Sequence, residues 1–432
     1  MCIKNSMEFI ADFHIHSKYS RATSRDMDVA HITDWAKIKG ITLMGTGDFT
    51  HHLWLEELKA SLEDLGNGLF KYPATKIGGS ATNSGGKDIY FILTAEISSI
   101  YSKRDKGYRI HNLVFAPSLK TVDKINETLS RYGNLASDGR PILGMDAAEI
   151  ARIVFDIDES CMVVPGHMFT PWFSLFGSMS GFDRIEDCFE KQAPKIFAGE
   201  TGLSSDPAMS WRISQLDKFT LISNSDSHSP AKIGREANVF DCELDYKTIR
   251  EVLKTKDKKR FLYTMEFFPE EGKYHFDGHR LCGIRWSPEE TKKHNGRCSK
   301  CGRPVTVGVM NRVDKLADRP VGYTPSNAIP FKNLIPLDEI ISEAKGIGKA
   351  SMAVERDYRA AIAKFGTEFE ILVRAPEGEL RKNLPSRIAE GVLRMRKGQV
   401  NIQAGFDGEY GKVALFGGEE KSAKDEQQLS LF

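Results

Sequence analysis

Seven short apolar runs recur within the first 230 residues, and most of them stop on a residue type that binds metals. They are FIADFHIH, ITLMGTGD, IYFILTAEI, HNLVFAP, CMVVPGH, KIFAGE and FTLISNSDSH. Nearly continuous hydrophobicity of this length is the mark of strands buried on both faces of a parallel sheet. Segments with helical periodicity lie between several of them, among them MDVAHITDWAKIKG, TVDKINETLSRYG and DAAEIARIVFD. Alternating strand and helix predicts an α/β fold, and seven such units predict a barrel.

In barrel enzymes the carboxyl ends of the strands open onto one face, which carries the active site. Six of the seven runs finish in His, Asp or Glu: His14 and His16, Asp48, Glu96, His167, Glu200, then Asp226 and His228. The fourth carries His111 at its start instead. A single such histidine is ordinarily a hydrogen-bonded core residue. The whole set is not, because buried ionisable groups are costly unless paired or metal-bound. Of the eleven histidines, His14, His16, His51, His111, His167 and His228 sit at these strand ends or one turn beyond. Imidazole mixed with carboxylate and without cysteine suits zinc or manganese. More ligands than one ion can use implies two or three catalytic divalent metals, Zn2+, Mn2+ or Mg2+. Such clusters serve in-line attack on phosphorus, with one ion generating hydroxide and the others holding phosphate oxygens.

The ordered set of HIH after the first strand, Glu96 and His111 in the middle, His167 and the closing Asp-x-His resembles the polymerase-and-histidinol-phosphatase (PHP) superfamily. That resemblance implies a distorted seven-stranded barrel with a three-metal phosphoesterase site. It implies His14, His16, His51, Glu96, His111, His167, Asp226 and His228 as ligands, with Asp48 and Glu200 also in the catalytic set. The chain departs from the family in one place. The usual Asp-His pair after the second strand is replaced by GTGDFTHH, so either Asp48 or His51 takes the ligand position, and His52 is a bystander. An early bridging carboxylate falls on Asp26 or Asp28.

A formal net charge of +1 neither favours nor excludes nucleic acid. The opening MCIKNSMEFI lacks the apolar run of a signal peptide, and no stretch approaches the ~18 apolar residues of a membrane helix. Four of the seven cysteines, Cys2, Cys161, Cys188 and Cys242, are scattered singly, which is reduced usage. A cytoplasmic, nucleoid-associated monomer without membrane contact is expected. The other three cysteines cluster: His279-x2-Cys282, fifteen residues, then Cys298-x2-Cys301. Two ligand pairs on tight turns are what tetrahedral structural Zn2+ requires. His275 and His294 are rival fourth ligands, but only His279 gives the second x2 spacing.

Beyond LADRPVGYTPSN the composition changes. Two helices are predicted around KGIGK, whose Gly-x-Gly turn with Lys345 or Lys349 can cradle a DNA phosphate, followed by a strand-like FEILVR. A second basic segment carries Arg387, Arg394, Arg396 and Lys397 near Phe406 and Tyr410, a composition that suits unstacked bases and phosphates. The predicted organisation is a barrel over 7–265, a small zinc ribbon over 266–318, a mainly helical nucleic-acid and lesion-recognition domain over 319–417, and a disordered tail over 418–432.

This order, together with SRATSRDMD, GTGDFTH, ETGLSSDP, SDSHSPAKIGREANVF and GFDGEYG, resembles the endonuclease Q family. An insertion at GNGLFKYPATKIGGSATNSGGKD interrupts the resemblance. The family nicks DNA on the 5′ side of damaged nucleotides, including deoxyinosine, deoxyuridine and abasic sites. Rival readings are a small-molecule phosphoesterase, which would have little use for a zinc ribbon and basic domain, and a non-enzymatic DNA-binding adaptor. The intact ligand set speaks against the adaptor.

The terminal QLSLF sits on a polar tether. It is either a hook for the chain's own core or a displayed linear motif. It resembles the pentapeptide by which bacterial replication and repair proteins bind the sliding clamp. That implies Leu429, Leu431 and Phe432 in apolar pockets, Gln428 at the rim, and a bacterial-type enzyme. Deleting residues 428–432 is expected to leave nicking of a short oligonucleotide unchanged and to abolish clamp binding in a pull-down.

Overall fold

The computed structural model describes residues 7–73 and 88–417. The QLSLF tail and residues 74–87 of the insertion lie outside the described residues. Each of the seven apolar runs forms a strand: β1 (Met7–Asp12), β2 (Leu43–Gly45), β3 (Tyr90–Lys103), β4 (Lys106–Ala116), β5 (Met162–Pro165), β6 (Ala198–Glu200) and β7 (Thr220–Ile222). β1, β2 and β3 are parallel neighbours, with Ala11 opposite Leu43 and Leu43 opposite Tyr90. β3 and β4 then form an antiparallel hairpin, and β5 runs antiparallel to β4. The path continues through the amide of Met168 donating to the Glu200 carbonyl, 2.9 Å, into parallel β6 and β7. It returns to β1 through the bridge between Ile15 and Ser227. The strands therefore follow one another in a ring.

The reversal at β4 explains why its histidine comes first. A strand running the other way brings its amino-terminal half to the end where its neighbours finish, so His111 and Glu96 meet at one rim. The turn at Arg104–Asp105, both with positive φ, matches the twist of a tight two-residue hairpin.

Helices at Val29–Lys39, Leu119–Leu129 and Ala147–Ile157 occupy the predicted helical segments. Asp28, Ser118 and Asp146 cap them, each accepting a bond from a backbone amide of the first turn. Asp28 also binds the His31 ring at 2.9 Å. It is thus a helix cap, and neither it nor the exposed Asp26 belongs to a ligand cluster.

Several strands escaped the sequence reading, two of which extend the sheet beside β1. β8 (Ala237–Cys242) lies antiparallel to β1, and β9 (Phe261–Glu266) antiparallel to β8. Phe331–Asn333, from beyond the Cys-rich segment, adds to β9 in parallel. FEILVR is also not a strand: Glu370–Arg374 is a single π-helical turn. Its form follows from Arg396, whose guanidinium donates to the carbonyls of Ile371, Leu372 and Ala375.

The carboxyl-terminal helices are locked to the ring by a buried ion pair. Lys39 Nζ lies 2.6 Å from Glu368 Oε2, with the two side chains 6% and 3% exposed. Glu368 also accepts from Tyr358 and from the Leu337 amide. Gly40, at φ +91°, leaves the space that Thr367 fills; a Cβ there would stand 2.7 Å from the Thr367 hydroxyl. Burial alone would raise the Glu368 carboxyl, but Lys39 and Tyr358 overcome this and hold it low. A depressed carboxyl contributes stability above the ordinary glutamate range, and that contribution is lost on acidification below it. Glu368→Ala is expected to cost about 3–5 kcal/mol in urea unfolding, whereas Lys39→Met with Glu368→Leu costs much less.

Candidate metal centre

At the rim where β1, β3, β4, β5 and β7 converge, two clusters share one carboxylate. His14, His16, Glu96 and Asp226 form the first, and Glu96, His111 and His167 the second; within each, one ligand atom per residue lies within 4.8 Å of every other. His14 and His16 alternate along an extended segment, so both point to one side. Glu96 stands opposite Leu113 and Ser98 opposite His111, which makes Glu96 and His111 diagonal neighbours on one face of the hairpin.

The two oxygens of Glu96 face different ways. Oε2 lies 3.2 Å from His16 Nε2 and 3.5 Å from His14 Nε2. Oε1 lies 2.6 Å from His111 Nδ1 and 3.1 Å from His167 Nε2. Asp226 Oδ1 completes the first cluster at 3.0 Å from His16 Nε2. The Nε2 atoms of His14 and His16 and Oδ1 of Asp226 are buried without a hydrogen-bond partner. Three buried ligand atoms without hydrogen-bond partners, beside a carboxylate with one oxygen toward each cluster, fit divalent cations.

The far nitrogens of the first-cluster histidines are held by carboxylates. His14 Nδ1 lies 3.0 Å from Glu200 and His16 Nδ1 3.1 Å from Asp48. Such partners orient a ligating imidazole and raise its basicity. Asp48 accepts from the Ser17 amide at 2.6 Å and from the Ser17 and Ser20 hydroxyls. Glu200 is held by Asn224 Nδ2 at 2.9 Å, and Asn224 Oδ1 accepts from Phe13 N of the β1 segment. Neither Asp48 nor His51, the two alternatives for one ligand position, lies in these clusters. Asp48 orients His16, while His51 stacks on Tyr19 at 4.6 Å. His228 is half-buried, its ring 4.5 Å from that of His16 and outside both clusters.

Burial opposes charge throughout the site, and pairing decides each group. Burial would raise Glu96, but His111, Arg140 and His14 hold it well below the usual carboxylate range. His14 and His16 are driven up against burial, His14 mainly by Glu200 and Glu96 and His16 mainly by Asp48. Burial carries His111 down to about 4, against the opposing pull of Glu96. Asp48, His167 and Asp226 all have positive φ, at 48°, 28° and 47°. Non-glycine residues hold such backbone only where their surroundings impose it.

Arg140 escaped the sequence reading. Its Nη1 lies 3.0 Å from Glu96 Oε2, on a loop whose Asp138 also accepts from the Arg140 amide. No strand-end pattern points to it; DGRP reads as an ordinary turn.

The Cys-rich module gathers His279, Cys282, Cys298 and Cys301 in one cluster, with Cys301 Sγ 3.6 Å from His279 Nδ1. His294 stacks on Trp286 and His275 is buried apart, so neither joins it. Among the predicted DNA contacts, Lys345 pairs with Asp357 at 2.5 Å and Lys349 with Glu339 at 2.7 Å. Arg387 and Arg394 lie over Phe416, and Lys397 is exposed. Arg396 is committed to backbone carbonyls and is a structural cap, not a phosphate contact.

A carboxylate-bridged pair of histidine clusters at the rim of an α/β ring is the apparatus of a metal-dependent phosphoesterase. The chain aligns over 98% of its length with 99% of the lesion-specific endonuclease PfuEndoQ from Pyrococcus furiosus, at 30% identity and a TM-score of 0.83. It belongs to the endonuclease Q family and is a metal-dependent DNA endonuclease. A crystal structure of endonuclease Q with a 27-mer duplex, carrying an abasic lesion at its active site, matches at 30% identity and TM-score 0.80, covering 97% of this chain and all of that one. Residues 336–399 match the family described as the MJ0043 C-terminal domain. The uncharacterized protein MJ0043 of Methanocaldococcus jannaschii is 36% identical over 268 residues, 60% of this chain, and the chain spans about a third of that relative's length (33%).

Glu96→Ala is expected to lower the metal content attributable to the rim and to leave that of the Cys/His module unchanged, as read by elemental analysis. Asp48→Asn should weaken rim metal binding about 10–100-fold, measured by competition with a chelating dye.

Proposed function

We propose that this enzyme hydrolyses the phosphodiester 5′ of deaminated or abasic nucleotides, including deoxyinosine, deoxyuridine and abasic sites, leaving 3′-hydroxyl and 5′-phosphate ends. The observation that carries this reading is the shared carboxylate of Glu96, with one oxygen in each histidine cluster. His14, His16, Glu96, His111, His167 and Asp226 would hold the divalent metals, which would supply an activated water and positive charge beside the phosphate oxygens. Glu200 and Asp48 keep the imidazoles of His14 and His16 aimed inward. Arg140 moves from Glu96 onto a non-bridging phosphate oxygen as the scissile group arrives, adding positive charge where negative charge develops. His228, half-buried at the same rim, stands where it can exchange a proton with the leaving oxygen.

Chemistry beside one particular base requires that base to leave the stack, and a weakly paired or missing base costs less to extrude. The receiving pocket lies between the ring and the carboxyl-terminal domain, flanked by the 207–211 segment, whose Trp211 packs on Phe331. The GFDGEYG turn is its other wall. This turn meets the Cys-rich module through the bridge of Phe406 to Phe276 and through Thr306 donating to Asp407. The four-residue Cys/His cluster holds structural zinc, and Lys345, Lys349, Arg387, Arg394 and Lys397 face the DNA backbone. The QLSLF tail tethers the enzyme to a sliding clamp. A tether of this kind acts through local concentration rather than tight contact.

The test is turnover of a short duplex carrying one deoxyinosine, deoxyuridine or abasic site, against its undamaged counterpart. Nicking 5′ of the lesion is expected with metal and absent with EDTA. His16→Ala with Asp226→Ala should abolish it without unfolding. Near-wild-type nicking by that folded double variant would overturn the assignment.

A further inference from the structure

The loop that follows His167 presents a tryptophan to solvent beside the second metal cluster. Trp172 is 45% exposed; Met168, Phe169, Leu175 and Phe176 of the same stretch are fully buried, Phe173 is half-buried, and Met179 is exposed like Trp172. An exposed indole is an unfavourable use of so large an apolar surface unless something covers it in the working state.

The loop is braced from several sides. Thr170 Oγ1 bonds the His167 ring at 2.9 Å and donates to the Trp172 carbonyl at 3.0 Å. Phe173 is held at φ +62°, a conformation that a non-glycine aromatic adopts only under constraint. Its carbonyl accepts from the His111 amide at 3.1 Å, and its ring lies 4.8 Å from the His111 ring. Arg109 spans the two aromatics, its guanidinium carbon 5.1 Å from the Trp172 ring and 5.4 Å from that of Phe173. On the far side Arg312, from the helix Val309–Leu316, donates to the carbonyls of Phe176 and Phe182. Strain of this kind gathers where geometry serves function.

We infer that Trp172 is a stacking platform for a nucleobase flanking the scissile phosphate, with Arg109 fixing its ring and meeting the adjoining backbone phosphate. This deepens the proposed nicking reaction and rests on it. A phosphate at the second cluster places its neighbouring nucleotides next to His111 and Phe173, and hence within reach of the indole. Stacking suits an enzyme with several lesions, because every base has a π-face and the contact does not depend on which base flanks the damage. Trp172 thereby holds the strand straight beside the cluster while the damaged nucleotide leaves the stack. It touches substrate but not the reacting atoms.

The experiment compares the intact chain with Trp172→Ala and Trp172→Phe on a duplex carrying an abasic site flanked by 2-aminopurine. Trp172→Ala should lower kcat/KM about 10- to 100-fold and lose the stacking-induced quenching of 2-aminopurine. Trp172→Phe should keep the quenching and most of the activity, and both variants should retain the metal content of the parent. A Trp172→Ala enzyme within twofold of the parent in kcat/KM and in quenching overturns the inference. So does a Trp172→Phe enzyme as impaired in both as the alanine variant. If the parent quenches the probe without nicking, the endonuclease reading fails and the stacking one survives.

Discussion

Everything at the rim depends on one carboxylate that serves two sides. Glu96 has no exposure to solvent, and each of its oxygens points to a different group of histidines. A buried carboxylate in this position is unfavourable unless cations approach it closely, and the surrounding chain is arranged to bring them there. Arg140 is one such cation, and His111, His14 and His16 surround the rest of the carboxylate. The ring of strands is the frame that lets residues from β1, β3, β4, β5 and β7 converge on a single acidic group.

Behind this group stands a second layer that fixes direction. Asp48 and Glu200 hold the outer nitrogens of His16 and His14, and Ser17, Ser20 and Asn224 hold those carboxylates in turn. The positive φ values of Asp48, His167 and Asp226 show that the backbone itself is bent to this purpose. Strain at three rim residues is sustained by the packed core beneath them.

Much of this was legible in the residues. The seven apolar runs located the strands because strands buried on both faces leave a plain hydrophobic signature. Histidine and acid at their ends located the rim, since barrel topology collects strand ends. The roles within the rim were less legible. Asp48, Glu200 and the members of the two clusters are the same residue types at equivalent positions, and only the direction of each side chain separates them. Arg140 lies in a turn with no periodicity to mark it. β8 and β9 lie beyond residue 230, outside the alternation of strand and helix that marks the other seven, and their Asp241 and Glu266 do not distinguish them by type. FEILVR has the composition of a strand, and its π-turn is held by Arg396 from 21 to 25 residues along the chain. Local propensity cannot report a hydrogen bond made at that distance.

The hairpin of β3 and β4 carries a further consequence. Glu96 and His111 are neighbours only because Lys103 pairs with Lys106 across the Arg104–Asp105 turn. Side chains alternate along a strand, so a slip of one residue in this pairing would turn one partner to the opposite face. The two-residue turn is therefore a ruler for the bridging carboxylate, although it lies seven residues from Glu96 along β3 and binds nothing itself. Divergence in the loops around the rim can reshape what the enzyme accepts. A single added residue in this remote turn would instead dismantle the place where its metals meet.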